Sequence, residues 1–196
     1  RNQVWASLIH NGLGFRDAII IKHDKEFPAI HEGNSLAHID GRKLEPEISG
    51  RTCDIIKHGD FYFGILICSE LTNIDYRARF RGKVDAIFVP EWNSDIEMFS
   101  SLIEAAAYDV HAYIIQCNNR KYGDTRIRMP AKRHFERDIV KIKGGEEDYF
   151  VIGQIDIQRL RQFQSFEVSP TGDSALFKPV PAGFEIAPYR KMLPKE

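Results

Sequence analysis

Phe63-Gly64-Ile65-Leu66-Ile67-Cys68-Ser69-Glu70 is an apolar run of strand length that stops at a cysteine and turns polar. A strand aimed at a reactive atom has this layout: the sheet fixes the backbone, and the turn at its end presents the thiol to a substrate. The same residues also fit a core strand whose last buried residue is Cys68, since an unpaired cysteine behaves as a small hydrophobe. The rest of the chain weighs between these two readings.

A chain of 196 residues with 43% hydrophobic and 28% charged residues has the make-up of one globular domain with a proper core. Its net charge of −1 gives no bulk signal for nucleic acid or a membrane surface. The apolar runs, at 19–21, 61–68 and 86–90, fall far short of a membrane span. Cys53, Cys68 and Cys117 have no metal-like spacing and leave an odd thiol, which favours a reducing, cytoplasmic setting. The histidines form no zinc-like pair, so no metal is expected. No signal peptide is visible and the first residue is Arg1, so the stretch reads as a processed chain or one end of something longer.

Residues 4–9 and 16–21 read as strands joined by His10-Asn11-Gly12-Leu13-Gly14, because Asn-Gly accepts positive φ. Residues 22–50 are polar and without periodicity, which predicts a long loop. A second hairpin is expected over 52–57 and 61–67, a buried strand over 85–89, and strands over 112–116 and 149–157. Asp95 is placed to cap a helix over 96–108 with Met98, Leu102, Ala105 and Ala106 on one face. A second helix follows at 158–164. Residues 1–165 thus read as one domain, and 166–196 as a Pro/Gly-rich arm lying on that domain or on a neighbour.

Four further stretches matter together. They are Lys25-Glu26-Phe27-Pro28-Ala29-Ile30-His31-Glu32, then Val84-Asp85-Ala86-Ile87-Phe88-Val89-Pro90-Glu91-Trp92-Asn93, then residues 104–119, and Gly153-Gln154-Ile155-Asp156-Ile157-Gln158-Arg159-Leu160. In this order, around Cys68, they resemble the nitrilase (carbon–nitrogen hydrolase) superfamily over roughly residues 1–165. The resemblance implies a four-layer α-β-β-α sandwich, often assembled into oligomers. It also implies hydrolysis of a non-peptide amide or nitrile through a cysteine thioester, with no metal or organic cofactor.

On that resemblance Cys68 is the nucleophile. Lys25 stabilises the oxyanion and would lower the pKa of a nearby thiol, and Glu32 is the accessory glutamate. The Ser69 N–H is a second oxyanion donor, Glu70 bonds in the pocket or holds the turn, and Trp92 forms a pocket wall. The bland alternatives are a solvated lysine, a surface acid and a core aromatic, and Lys22 competes with Lys25. One departure stands out: the family's general base is a Glu well before the lysine, and residues 1–24 contain none. The first strand–helix unit and the base are therefore missing from this stretch.

Residues 120–143 hold nine basic against three acidic residues, with Tyr122, His134 and Phe135 interleaved. Arg126, Arg128, Lys132 and Arg133 could track a phosphate backbone, or the run could be a solvated, ion-paired loop. The segment 113–128, with Asp138 and Gly144-Gly145, also resembles the nitrilase-like domain fused behind bacterial reverse transcriptases associated with phage defence. That implies a second possibility, a weakly active or inactive module serving assembly or nucleic-acid contact in a polymerase.

Overall fold

A computed structural model of the chain describes residues 2–12, 15–39, 41–43, 55–166 and 175–192. Cys53, the turn residues Leu13 and Gly14, and the tail residues Pro170, Gly172 and Pro194 lie outside these. The chain divides into two compact units, Arg1–Thr52 and Cys53–Glu196.

In the first unit, β1 (Gln3–Gly12) and β2 (Phe15–Asp24) pair antiparallel with Trp5 opposite Lys22 and Ala6 opposite Ile21. This is the expected hairpin, with longer strands. The expected loop over 22–50 is corrected: Ile30–His38 is a helix, α1. It buries no residue, so its sequence carries no apolar stripe to betray it.

The second unit is built on a six-stranded sheet in the order β3-β4-β5-β6-β7-β8: Ile56–His58, Phe61–Ile65, Ala86–Glu91, Tyr113–Asn118, Thr125–Arg128 and Asp138–Ile142. The pairs β4–β5 and β5–β6 are parallel and the rest antiparallel. Helices α2 (Ile74–Phe80), α3 (Ile96–Ala106) and α4 (Ile157–Gln164) complete it.

Ile87, Val89 and Ile114 pack with Phe80 of α2 and with Phe99, Ile103 and Ala106 of α3. Alternate residues of the same strands, Ala86 and Tyr113, pack with Leu160 and Phe163 of α4 and with Phe177. This period of two puts helices on both faces, as a sheet buried on both sides requires. Gly64 is what lets α2 sit down, because a methyl there would run into the Phe80 ring.

Asp95 caps α3, its carboxylate accepting from Met98 N–H at 3.1 Å. The buried stripe is Phe99, Ile103 and Ala106, offset from the expected one, and Met98 is exposed. Past Ala106 the helix widens into one π-turn, Ala107–His111. The expected strand over 149–157 does not form. Tyr149, Phe150, Val151 and Ile152 are exposed, and their apolar composition alone supplies no hydrogen-bonding neighbour.

The described part of the tail lies on its own unit. Phe177 is buried, and Arg190 is buried against Asp85. No helix among the described residues is long and apolar enough to cross a membrane.

Candidate active site

The parallel strands β4, β5 and β6 end side by side, and open α/β sheets place their chemistry at such ends. Just beyond β4, Leu66 N–H still donates to Phe88 O at 2.9 Å. The chain then breaks into a 3₁₀ turn, Cys68–Thr72. Cys68 opens it at φ 51°, a left-handed backbone that costs a residue with a Cβ about 1–2 kcal/mol. The turn is held from below: Glu70 Oε2 accepts the Ile67 N–H at 2.8 Å. Of the two roles expected for Glu70, this is the turn-holding one. Ser69 Oγ, beside the thiol, is buried with no hydrogen-bond partner among the described residues. Cys68 is half-buried and Cys117 is exposed.

β5 runs through Pro90 and ends at Glu91, and Trp92 follows with 75% of its surface exposed. The loops after β5 and β6 are tied by Asn118. Its Nδ2 donates to Asn93 O at 2.9 Å and Gly123 O at 2.8 Å, and its Oδ1 accepts from the N–H groups of Asn93 and Asn119. Read in the sequence as a turn-former, Asn118 uses its full side-chain capacity to lock the strand ends.

Lys25 and Glu32 meet within the first unit, Nζ to Oε2 at 2.6 Å, and Lys25 is buried. Asn2 Nδ2 donates to Glu32 Oε1 at 2.9 Å, and the Ala29 N–H donates to Oε2 at 3.2 Å. Burial pushes the Glu32 carboxyl up, but these hydrogen bonds and the Lys25 charge outweigh it and hold it below the usual range. The rival Lys22 lies exposed over the Trp5 ring, 4.9 Å from its centroid. Cys68, Ser69, Glu70 and Trp92 all belong to the second unit.

The structure corrects the basic segment. Residues 125–142 include the hairpin β7–β8, and Arg126 and Arg128 point into the unit, 1% and 6% exposed. Arg128 grips Asp138 with two parallel bonds of 2.7 and 2.8 Å and reaches Glu104 of α3 at 3.3 Å. Arg126 pairs with Asp124 and donates to Ser100 Oγ at 3.0 Å. Buried guanidiniums committed to carboxylates of their own unit do not face a phosphate backbone. Lys132 is half-buried, and Arg133 is exposed with Glu136 at 3.8 Å.

Glu91 and Gln116 went unremarked in the sequence. Gln116 Nε2 donates to Glu91 Oε1 at 2.5 Å, and both side chains are buried. Burial pushes the Glu91 carboxyl up to about 7, against the Gln116 bond and the Arg126 charge. A legible signal existed: each is a polar residue on an inward position of an otherwise apolar strand.

Among solved structures the chain is similar to Saccharomyces cerevisiae Nit3, a member of branch 10 of the nitrilase superfamily. The two share 19% identity and a TM-score of 0.51, over 68% of this chain and 51% of that one. The fold is of the nitrilase type. The chain spans about half the length of that nitrilase-superfamily protein. Two further nitrilase-fold matches are a cysteine-to-alanine variant of a Nesterenkonia amidase and a CN-hydrolase superfamily protein of Xanthomonas campestris. The first shows 11% identity, 66% and 48% coverage and a TM-score of 0.49. The second shows 10%, 74% and 60%, and 0.46, and its structure carries an arsenic adduct in the active site. No protein-family model and no curated protein sequence matches the chain.

Proposed function

We propose that this chain carries the nucleophile of a thiol-dependent carbon–nitrogen hydrolase acting on a non-peptide amide or nitrile. The observation that carries the reading is Cys68 in a left-handed backbone at the end of a central parallel strand, within a nitrilase-type fold. A strained elbow there fixes the half-buried thiol at the strand end, the position from which a nucleophile meets a carbonyl or nitrile carbon.

For an amide, the Cys68 thiolate attacks the carbonyl carbon, forming an S–C bond as the C=O electrons move to oxygen. The Ser69 N–H is the donor proposed for that oxyanion, and the resemblance gives the same task to a lysine, for which Lys25, held by Glu32 within the first unit, is the candidate. The C–N bond then breaks and the leaving nitrogen takes a proton. Water next cleaves the thioester, releasing the acid and restoring the thiol. The proton carrier in the family's scheme is a glutamate that residues 1–24 do not contain.

The polymerase-associated alternative loses Arg126 and Arg128 as phosphate contacts, because both are buried in ion pairs. The test is a panel of short amides and nitriles offered to the full-length polypeptide and to its Cys68→Ala variant. Hydrolysis that disappears with Cys68, in a variant of unchanged circular dichroism, supports the reading. Hydrolysis that survives overturns it.

A further inference from the structure

β4 and β5 pair as Phe63 with Ala86, Gly64 with Ile87 and Ile65 with Phe88. Leu66 N–H still donates to Phe88 O, and the turn Cys68–Thr72 that follows packs against β5, which runs on to Glu91. Cys68 and Glu91 fall on the face that carries α3. Leu66 and Val89 share its apolar cluster, Cys68 packs against that cluster, and Glu91 keeps step with Val89 along β5.

Glu91 is 9% exposed, and its Oε1 accepts from Gln116. Its Oε2 and Gln116 Oε1 are both buried without a hydrogen-bond partner among the described residues. Two stranded acceptors side by side are costly, and a proton on Oε2 turns one of them into a donor. The charged group acting on the carboxyl is Arg126 on β7, already held by Asp124 and Asp138; Glu104 on α3 acts on the same guanidinium, and Glu70 sits on the turn that packs against β5. Burial outweighs the one nearby cation and favours the neutral acid up to about pH 7.

We propose that Glu91 is the positioning acid of Cys68: neutral, it permits a thiolate on the adjoining strand end, and ionised, it opposes one. The inference rests on the reading of Cys68 as nucleophile and adds the group that sets when that nucleophile exists. A second negative charge close by, in a partly buried setting, moves a thiol's titration by about one to two pH units.

The experiment is the rate of iodoacetamide alkylation, resolved by site with mass spectrometry, from pH 6 to 10 on the full-length polypeptide and its Glu91→Gln variant. Glu91→Gln keeps the shape and the Gln116 contact while removing the charge. The Cys68 midpoint is expected to fall by about one unit or more, with alkylation at pH 8 faster by roughly tenfold. Cys117, exposed on the opposite face, is expected to keep its rate.

Superimposable Cys68 profiles overturn the inference, and so does an equal acceleration at Cys117. Should Glu91→Gln fail to fold, Gln116→Leu serves instead. Removing the donor to Oε1 raises the pH at which Glu91 ionises, so the neutral-range inflection of the Cys68 profile moves up; an unmoved inflection overturns the inference. Profiles that ignore Glu91 while hydrolysis still needs Cys68 strike this inference alone. Hydrolysis that survives Cys68→Ala strikes the nucleophile reading instead.

Discussion

Arg190 Nη2 lies 2.9 Å from Asp85 Oδ1, an ion pair between residues 105 apart in sequence with both side chains fully buried. Asp85 also takes Arg161 Nε at 2.8 Å and the Tyr62 N–H at 2.9 Å. One carboxylate thus joins the start of β5, the edge of β4, helix α4 and the C-terminal tail. With Arg161 still paired to Asp85, losing Arg190 leaves the carboxylate partly compensated, and the cost falls at the low end for a broken buried pair, about 3 kcal/mol. Arg190→Ala is expected to lower unfolding stability by that amount, and Lys191→Ala, at an exposed neighbour, by under about 0.5 kcal/mol. Urea denaturation of the two variants checks it.

His111 and Glu91 oppose each other in pH. Burial lowers His111 from 6.5 to about 4, while its Nε2 stays 2.9 Å from Lys178 O. A depressed histidine contributes stability that is present above pH 6.5 and lost as pH falls toward 4. Burial raises Glu91 from 4.5 to about 7, so its contribution is present below 4.5 and lost as pH rises through 7. Each shift amounts to about 3 kcal/mol. The wild type should therefore change little between pH 4.5 and 6.5. Glu91→Gln should gain stability steadily as pH rises over that range, and urea melts at four pH values show whether it does.

Arg128 carries structure rather than surface charge. Its bidentate grip on Asp138 and its reach to Glu104 tie β7 to β8 and α3. Arg128→Gln is expected to cost about 3 kcal/mol. Arg133→Gln, at an exposed site, is expected to change stability by under about 0.5 kcal/mol. Equal melting temperatures for the two variants would contradict the burial argument.

On the proposed reading the family's lysine is Lys25, paired with Glu32 at 2.6 Å, while its rival Lys22 lies over Trp5. Lys25→Ala is expected to slow Cys68 alkylation at neutral pH by about tenfold, since a lost cation raises a thiol's pKa by about a unit. Lys22→Ala should leave the rate alone. The reverse ranking in a stopped-time alkylation assay moves the role to Lys22.

Gly64→Ala should destabilise the second unit by about 1–3 kcal/mol, because the added methyl meets the Phe80 ring that seats α2 on the sheet. Pairing it with Phe80→Leu tests the cause. If the clash is the source, the two losses are less than additive.

The hairpin β1–β2, the strands around 86–90 and 113–116, the Asp95 cap and the turn after Cys68 were all legible, because each is written in local periodicity or turn chemistry. Helix α1 was not, since a helix that buries nothing has no stripe to read. The run at 149–152 misled in the opposite direction. Its β-branched and aromatic residues suit a strand, but pairing depends on a neighbour that composition does not specify.

Sequence by itself determined the first hairpin, the central strands, the capped helix α3, the nitrilase-type resemblance and the placing of Cys68 at a strand end, because these depend on residues close together in the chain. Only the tertiary structure decided which charges are buried. Arg126 and Arg128 read as a basic run until β7 turned them toward Asp124, Asp138 and Glu104. Glu91 drew no notice in the sequence, and only the fold shows it buried and bonded to Gln116. The energy of an ionisable group is set by water removed and partners supplied from distant segments, and only the folded chain brings those together.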